Sequence, residues 1–350
     1  MHITTVGLDL AKSSFSVCAM NSSGEVVERR DLKRDSLLTW LGKLPAGCAV
    51  GMEACSSAHH WARVSMRLGL TPRIVAAERV TPYRLSRAIK NDRNDAEAIA
   101  QAVRQPTMRF IPPKSVEQQA RLSRHRMREG WKEERTALMN RMRGLLAEFG
   151  IVFPRTSSAL RRGLASALES DHLPGAVKEL LCWAREDLDR IEARIAACDR
   201  AIGLACRADP TARRLQDVMG IGPTTADAVI ATVGDATVFK NGRQFAAWTG
   251  ITPKQFSTGG KAKLGGITRR GDAYLRTLLV QGAKSTLKSA LTRPPGQGSR
   301  LEEWARALHA RAGYHKTLVA IANKNARVLW ALMTKEEAYD PEAWRRYARG

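Results

Sequence analysis

Apolar residues near the start of the chain fall into short runs separated by polar turns. Ile3–Leu10 and Phe15–Met20 are two such runs that contain β-branched residues, and Glu25–Asp31 follows a turn at Ser22–Gly24. Runs of this length bounded by turn residues are typical of β-strands. We therefore expect three consecutive strands at the start of the chain.

The pattern then alternates between helical and strand spacing. Three strands followed by α-β-α units is the element order of a ribonuclease-H-like domain. The pattern therefore predicts an α/β domain of this class over residues 1–113. Its later elements are a helix at Ser36–Leu44, a strand at Cys48–Met52, a helix at Ala58–Leu68, a strand at Arg73–Val75 and a helix at about Arg93–Arg104.

Residues 114–206 have few glycines and many charges, which favours long helices. One helical stripe is interrupted near Gly150–Pro154, and a second long helix begins at about Gly175. The nine basic and four acidic residues of 114–145 fit a solvated helical face, although contact with nucleic acid stays open. The first stripe consists of Leu122, Met127, Trp131, Leu138, Met142 and Leu145.

Apolar residues of the second long helix recur at coiled-coil spacing. Leu181, Leu188, Ile191 and Ile195 are seven, three and four residues apart. Two such helices favour a helical hairpin, whose apolar stripe must be buried against the hairpin itself or against another subunit. From this seam we expect a homo-oligomer, either a dimer or a tetramer.

The last region, residues 207–350, is predicted to be mostly helical and punctuated by glycines. A loop around Arg293–Gly296 separates two of its helices. The chain is thus expected to have three parts, covering residues 1–113, 114–206 and 207–350.

Composition adds a polyanionic partner to this picture. The chain has 57 Lys and Arg residues against 34 Asp and Glu, a formal charge of +23. Nucleic acid is the commonest partner of so basic a protein, although a basic surface kept for solubility is the alternative. The six cysteines are scattered, and no signal peptide or membrane-length apolar run is visible. We expect a cytoplasmic, nucleoid-associated protein without membrane contact.

Four carboxylates are placed where they could share one site. Asp9 ends the first strand, Glu53 follows an apolar strand, and Asp92 and Asp95 lie one turn apart at the start of a helix. Four close carboxylates repel each other unless cations neutralise them, as two Mg²⁺ (or Mn²⁺) ions would. Each acid also has an ordinary interpretation: Asp92 as a helix cap, Asp95 as a partner of the helix dipole, and Glu53 as a surface residue. A strand ending in Gly-x-Asp also occurs in actin-like sugar kinases.

Two C-terminal segments could contact phosphate. Met219–Pro223, between two apolar helices, is similar to a helix-hairpin-helix turn, in which Gly220 and Gly222 would let backbone amides approach a phosphate. An ordinary tight turn between helices is the alternative. Further along, Ser257 and Thr258 precede Gly259 and Gly260 within a basic segment. Its cations are Lys254, Lys261, Lys263, Arg269, Arg270 and Arg276.

A hydroxyl beside flexible glycines and cations suits a nucleophile that attacks a phosphodiester. A basic phosphate-binding loop with a Ser-Thr turn would have the same composition. Residue chemistry alone leaves both interpretations open.

Six motifs together resemble the DEDD transposases of bacterial insertion sequences, the one-ten and eleven-eleven class understood as bridge-RNA-guided recombinases. The resemblance covers nearly the whole chain. The motifs are GLDLAK, GMEA, KNDRNDAEAIA, GIGPTTA, RQFAAWTGITPKQ and STGGKAKLGGITRRGDAYLR.

This resemblance implies a RuvC-like N-terminal domain, a coiled-coil linker and a C-terminal transposase domain. It implies that Asp9, Glu53, Asp92 and Asp95 are the four metal-binding acids and that a serine forms a transient covalent link to double-stranded DNA. Ser257 is the expected nucleophile, with Thr258 as its rival. A non-coding guide RNA is implied by the resemblance alone.

Two other functions remain open from the sequence. A metal-dependent junction-resolving nuclease would use the four acids to activate water and would form no protein–DNA adduct. A non-enzymatic DNA-binding protein would need only the helix-hairpin-helix and would act without metal.

Overall fold

The structure of the protein is a computed structural model that describes residues 2–84, 92–258, 261–335 and 337–341. For Thr258, Lys261 and Ala262 it describes the backbone only. The chain divides into two compact units, Met1–Gln119 and Ala120–Gly350. The finer division into three domains stays a prediction.

The first unit contains a five-stranded mixed sheet. Its strands lie in the order β3-β2-β1-β4-β5, with the first three antiparallel and β1, β4 and β5 parallel. The elements are β1 (Thr5–Asp9), β2 (Ser14–Met20), β3 (Val26–Lys33), α1 (Arg34–Leu41), β4 (Ala49–Glu53), α2 (Ala58–Arg67), β5 (Thr71–Val75), α3 (Ala77–Val80) and α4 (Asp92–Val103).

All eight elements expected from the pattern are present in this unit, with ends that differ by no more than three residues. Val6 and Leu8 of β1 join the apolar core formed with α1 and α2. Cys18 and Met20 of β2 pack against α4. The sheet therefore separates two apolar layers, and α4 covers one face.

The second unit is mostly helical and includes one two-stranded sheet among its described residues. Its elements, counting the start of its first helix, are α5 (Val116–Ala147), α6 (Ser157–Glu169), α7 (Gly175–Ala208), α8 (Pro210–Gln216), α9 (Pro223–Val233), α10 (Gly242–Trp248), β6 (Pro253–Thr258), β7 (Lys261–Ile267), α11 (Ala273–Thr292), α12 (Arg300–Ala312) and α13 (Tyr314–Lys335).

The helices α5 and α7 run antiparallel. Arg128 of α5 pairs with Asp199 of α7 at 2.6 Å. Three residues later on α5, the ring centroid of Trp131 lies 5.8 Å from the guanidinium of Arg194, which precedes Asp199 on α7. The predicted helical hairpin is therefore present. Helix α6, which the sequence analysis did not predict, lies between its two long helices in the chain.

The predicted stripe on α5 was wrong at two positions. Met127 is 52% exposed and Leu145 is 43% exposed, whereas Met139 and Leu146 are buried. The buried stripe also includes His125, whose polar side chain does not contribute to an apolar period. The true stripe therefore lies beside the predicted one on the same helix.

The seam on α7 is buried within a single chain. Leu181, Leu188, Ile195 and Ile202 are all buried, at a strict seven-residue spacing. Leu181 and Leu188 pack in one cluster with residues of α5 and α6. Ile191, the remaining member of the predicted seam, is only partly buried. Of the two alternatives for this seam, burial against the hairpin itself is thus the one observed for its buried positions.

The β6–β7 hairpin was not predicted from the sequence, which indicated a mostly helical region. Its strands pair from Pro253↔Ile267 to Thr258↔Lys261, with an irregularity between Pro253 and Gln255. Phe256 and Leu264 are more than half exposed, so the hairpin buries little apolar surface and carries no alternating pattern for sequence analysis to detect. The loop predicted at Arg293–Gly296 does separate α11 from α12.

Candidate functional site

Two glycines on neighbouring strands let α4 lie directly on the sheet. Gly7 and Gly51 are paired in register between β1 and β4. A Cβ atom on Gly7 would lie 2.0 Å from the carbonyl oxygen of Ala96, and one on Gly51 would lie 2.6 Å from Val103 Cγ1. No side chain fits at such distances, so the absence of Cβ atoms sets how closely α4 approaches.

The strand-end acids share the face of these glycines. Side chains alternate along a strand, so Asp9 and Glu53 project to the same face as Gly7 and Gly51, two residues earlier. Helix α4 covers that face and contributes Asp95, whose side chain is buried. The structure thus brings the predicted acids of β1, β4 and α4 to one end of the sheet.

Arg84 links two of these acids and was not anticipated from the sequence. Its Nη2 donates a hydrogen bond to Glu53 Oε1 at 3.0 Å. Its Nε lies 2.8 Å from Asp95 Oδ1 as an ion pair, but without the alignment of a hydrogen bond. Arg84 therefore supplies positive charge between the carboxylates. A lone arginine in a turn gave no sequence signal for this role.

The fourth acid, Asp92, is the exposed first residue of α4, and its charge acts on Asp9. Burial raises the pKa of Asp9 to about 6, and the charges of Asp92, Asp95 and Glu53 add to this rise, while Arg84 opposes it. All four acids are therefore close enough to interact electrostatically.

Among the described residues, no three His, Cys, Asp or Glu side chains are arranged as ready ligands for a metal ion. The chemistry of the donor set nevertheless fits a divalent cation, because hard cations prefer carboxylate oxygens. Burial is the main cause of the raised pKa of Asp9, and the three neighbouring acids raise it further while Arg84 lowers it. These residues could hold a metal if Arg84 moved away from Glu53 and Asp95.

In the second unit, Gly220 serves packing. Its φ of +86° suits glycine. A Cβ atom on Gly220 would lie 2.6 Å from the carbonyl oxygen of Gly282. A Cβ atom on Gly282 would in turn lie 2.0 Å from the carbonyl oxygen of Gly220. Gly222 lies just before α9 and is exposed, and a Cβ atom on it would have no neighbour within 4 Å. Phosphate contact by this turn stays a prediction, and Gly222 offers the more accessible backbone.

Ser257 lies exposed on β6. Its Oγ accepts a hydrogen bond of 2.8 Å from Nε2 of Gln255, on the same face of the strand. Phe256 projects to the opposite face, where its ring covers Gly265 of β7. The side chain of Thr258 and the whole of Gly259 and Gly260 lie outside the described residues, as does the Lys261 side chain.

The base of the hairpin is tightly held. A Cβ atom on Gly250 would lie 1.9 Å from Arg270 O, and Arg269 N donates to Gly250 O at 3.0 Å. This contact holds Arg269 at a φ of +56°, which is uncommon for a residue with a side chain. Lys254, Lys263, Arg269 and Arg270 are exposed, whereas Arg276 is partly buried and donates to Thr249 O at 3.2 Å.

A buried polar network, missed by sequence reasoning, connects three helices of this unit. His125 of α5 lies 2.9 Å from Asp227 of α9 through Nε2 and 2.9 Å from the Tyr274 hydroxyl of α11 through Nδ1. His125 and Asp227 are at most 1% exposed. The network fixes α5 against the helices that flank the glycine turn and the hairpin.

Comparison with known proteins gives two matches to transposase families. Residues 6–151 match the DEDD transposase family of IS110 elements, described as "Transposase". Residues 212–295 match the family described as "Transposase IS116/IS110/IS902 family". The first match contains the four acids, and the second contains the glycine turn and the hairpin.

Similar proteins extend the match across the chain. A protein of Pseudomonas aeruginosa named "Probable family 20 transposase" is 44% identical over 97% of this chain and all of its own length. The "Transposase for insertion sequence element IS1111A" of Coxiella burnetii is 37% identical over 96% of this chain and 91% of its own. The "Transposase for insertion sequence element IS1328" of Yersinia enterocolitica is 36% identical over 95% of this chain and 98% of its own.

Proposed function

The chain belongs to the IS116/IS110/IS902 family of transposases, and on that basis we propose that it cleaves and rejoins DNA at specific sites through a covalent link to Ser257. The observation that carries this proposal is the exposure of Ser257 on a cationic hairpin, with its Oγ oriented by Gln255. Transposases act on DNA, and the exposed cations of this hairpin suit contact with its phosphates.

In the proposed reaction the Oγ atom of Ser257 attacks the scissile phosphorus. A P–Oγ bond forms, the P–O bond to the leaving deoxyribose oxygen breaks, and that oxygen takes up a proton while Oγ loses one. The ester keeps the phosphate in a bond that a second deoxyribose hydroxyl can attack, so DNA is rejoined without another energy source. Lys254, Lys263, Arg269 and Arg270 stabilise the negative charge on the phosphate oxygens.

The DEDD family implies a divalent metal ion. In our proposal Asp9, Glu53, Asp92 and Asp95 hold Mg²⁺ or Mn²⁺, and Arg84 gives up its carboxylate partners when they do. A bound divalent ion would supply Lewis-acid stabilisation of the charge that develops on the phosphate. The order of the strands, three antiparallel followed by two parallel, supports a RuvC-like fold for this unit.

The proposed partners are double-stranded DNA, a second copy of the chain and a guide RNA. The guide RNA is proposed from the family resemblance alone. No described residue favours RNA over DNA. Self-association needs a surface other than the buried seam of α7, and Leu180 and Trp183 of that helix are about half exposed. No helix of the described residues is long and apolar enough to cross a membrane.

The test is to trap the adduct on a nicked suicide substrate carrying the ends of the element, and to map the modified peptide. We expect a DNA adduct on Ser257 that disappears in Ser257→Ala, whose DNA affinity stays within twofold of the natural chain. Thr258→Val serves as the control and should keep the adduct. Linkage at Thr258 would overturn the choice of residue, and free cleaved ends without an adduct would indicate a metal-dependent nuclease instead.

A further inference from the structure

A separate cleft in the second unit has no role in the proposed reaction. Its volume is about 1170 Å³, and it is lined by α13, the start of α10, Trp304 of α12 and residues 337–340. We call it the α13 cleft. Six of its lining residues matter here: Arg243, Trp304, Lys324, Arg327, Trp330 and Lys335.

The cations of the α13 cleft form no salt bridge with the acids of the described residues. None of Arg243, Lys324, Arg327 and Lys335 forms an ion pair with any acid in the part of the chain that the structure describes. Glu337 and Asp340 also line the cleft, so four cations face two acids. Burial lowers the pKa of Lys324, and the charges of Arg300 and Arg327 lower it further. The cations crowd one another, and a bound anion would relieve that repulsion.

The aromatic residues of the cleft are held in place. Trp330 Nε1 donates to the carbonyl oxygen of Ala236 at 3.1 Å, which fixes the plane of its indole. Lys324 Nζ lies 4.8 Å from the ring centroid of Trp304, a cation–π contact. Trp304 and Trp330 are only partly buried. Stacking of a base on Trp304 would require Lys324 Nζ to leave the ring face and turn towards a phosphate, a side-chain movement that leaves the helices in place.

We propose that the α13 cleft binds an unpaired stretch of nucleic acid, with bases stacked on Trp304 and phosphates held by Lys324, Arg327 and Arg243. Fixed aromatic faces combined with cations that track a phosphate backbone are the two elements of single-strand binding sites. In a duplex the faces of the bases are stacked on one another, so the indoles would have nothing to contact. The site is distinct from the hairpin that carries Ser257.

The dimensions of the cleft also favour a chain-like ligand. Pockets that enclose one small molecule occupy roughly 300–1,000 Å³. The α13 cleft lies near the upper end of that range, and its cations are spread over two helices, from Arg243 at the start of α10 to Lys335 at the end of α13. A single strand can pass through such a cleft and use these cations in succession.

The experiment measures binding of a fluorescein-labelled 12-nucleotide single strand, as DNA and as RNA of the same sequence, and of the matching DNA duplex, to the full chain. Stacking is worth about 1–3 kcal/mol per base, so Trp304→Leu should weaken single-strand binding roughly fivefold to a hundredfold. Duplex affinity should change less than twofold, and Trp304→Phe should recover most of the single-strand affinity. The DNA and RNA strands distinguish the source of the ligand.

A pair of charge variants provides the matched control. Lys324→Gln with Arg327→Gln removes two charges from the cleft, whereas Lys284→Gln with Lys288→Gln removes two exposed charges from α11. The cleft pair should lower single-strand affinity at least five times more than the α11 pair. Equal losses in the two pairs would show that the cleft acts only through general charge and would overturn the proposal.

Direct contact is tested by photocrosslinking with a strand that contains 5-bromouracil. We expect the crosslinked peptide to include Trp304 or Trp330, and crosslinks confined to the hairpin would contradict the proposal. These measurements need no recombination and can be made with Ser257→Ala. A failure here therefore leaves the covalent mechanism untouched, and a failure of that mechanism leaves this site untouched.

Discussion

The carbonyl oxygen of Ala96 occupies the space that a Cβ atom on Gly7 would need, at 2.0 Å from its ideal position. The backbone of α4 cannot yield locally, because its neighbours Ala100 and Cys18 are fully buried. Gly7→Ala must therefore push α4 away from the sheet and with it Asp95.

We expect Gly7→Ala to lower the free energy of unfolding of the first unit by about 1–3 kcal/mol or more, the cost of overpacking a tight core. Urea denaturation measures this loss. Gly42→Ala, in the same unit, is the matched control, because Gly42 has an ordinary φ of −67° and a Cβ atom there would meet nothing closer than 3.5 Å, so stability should change little. Equal stabilities of Gly7→Ala and the natural chain would mean that α4 does not lie on Gly7.

The second prediction concerns pH and metal. The pKa of Asp9 is raised from 3.8 to about 6, so the folded chain holds this proton more tightly than the unfolded chain does. The contribution of Asp9 to the free energy of unfolding therefore falls as the pH rises from about 4 to about 6. Above pH 6 Asp9 is ionised, and the whole of this contribution has been lost. A divalent cation offsets that loss only where Asp9 is ionised.

Mg²⁺ or Mn²⁺ should accordingly raise the melting temperature of the natural chain at pH 8 and have little effect at pH 5. Asp9→Asn, measured in a chelator at pH 8, should melt above the natural chain and should not respond to metal. The control Asp35→Asn removes an exposed acid from α1 and should keep the metal response. A metal shift of the same size at pH 5 and pH 8 would place the ion elsewhere.

The sequence was most informative where side-chain burial follows a regular period. The strands and helices around Gly7 and Gly51 alternate clearly, so their order and their strand-end acids could be predicted. The pairing of these two glycines under α4 could have been found too, because each lies two residues before a strand-end acid. The position of Arg84 could not, since an arginine in a turn can reach many partners.

Prediction failed where polar residues are buried or apolar ones are exposed. His125 lies on the buried stripe of α5, and its partners Asp227 and Tyr274 are 102 and 149 residues away. The hairpin around Phe256 shows the converse, because an exposed aromatic residue leaves no alternation to detect. A sequence period is visible only where apolar residues are buried and polar residues are exposed. The buried His125 and the exposed Phe256 both depart from that rule.

The third prediction tests the buried network of the second unit. Asp227 lies between two basic residues. Its Oδ2 is 2.9 Å from His125 Nε2, and its Oδ1 is 3.5 Å from the Nε atom of Arg121. Removing one member of a buried charged pair costs about 3–5 kcal/mol, because the other stays desolvated. We expect a loss of this order for Asp227→Ala and a smaller loss of about 1–3 kcal/mol for Tyr274→Phe, which removes the contact of the hydroxyl with His125 and its hydrogen bond with Arg128.

Denaturant unfolding of His125→Phe, Asp227→Ala and the double variant forms a thermodynamic cycle. The double variant should lose less stability than the sum of the two single losses, by at least 1 kcal/mol if the network is cooperative. The exposed His172 gives the control variant His172→Phe, which should be neutral. Strict additivity would mean that the 2.9 Å contact contributes no coupling.

The fourth prediction concerns the hydrogen bond that Gln255 donates to Ser257. A neutral hydrogen bond is worth about 0.5–1.5 kcal/mol, which corresponds to roughly twofold to tenfold in rate. Gln255→Ala should slow formation of the protein–DNA adduct by this factor in single-turnover assays while DNA affinity is unchanged. Gln281→Ala, at an exposed glutamine on α11, should have no effect. An unchanged rate in Gln255→Ala would show that this bond does not orient the nucleophile.

The last prediction separates folding from self-association on α7. Leu180 and Trp183 are three residues apart, share one face of the helix and are 49% and 55% exposed. Leu188 is 1% exposed, inside the cluster formed with α5 and α6. We predict that this exposed apolar pair contacts a second copy of the chain, whereas the buried leucine supports the fold of its own chain.

Leu180→Lys combined with Trp183→Lys should therefore lower the mass measured by light scattering and leave the melting temperature nearly unchanged. Leu188→Lys should instead lower the melting temperature, because a buried charge without a partner unfolds the hairpin formed by α5 and α7. Glu186→Lys, exposed on the same helix, controls for added positive charge and should alter neither quantity. If the natural chain and the Leu180, Trp183 variant are both monomeric, this face of α7 does not join subunits, and the exposed pair has another role.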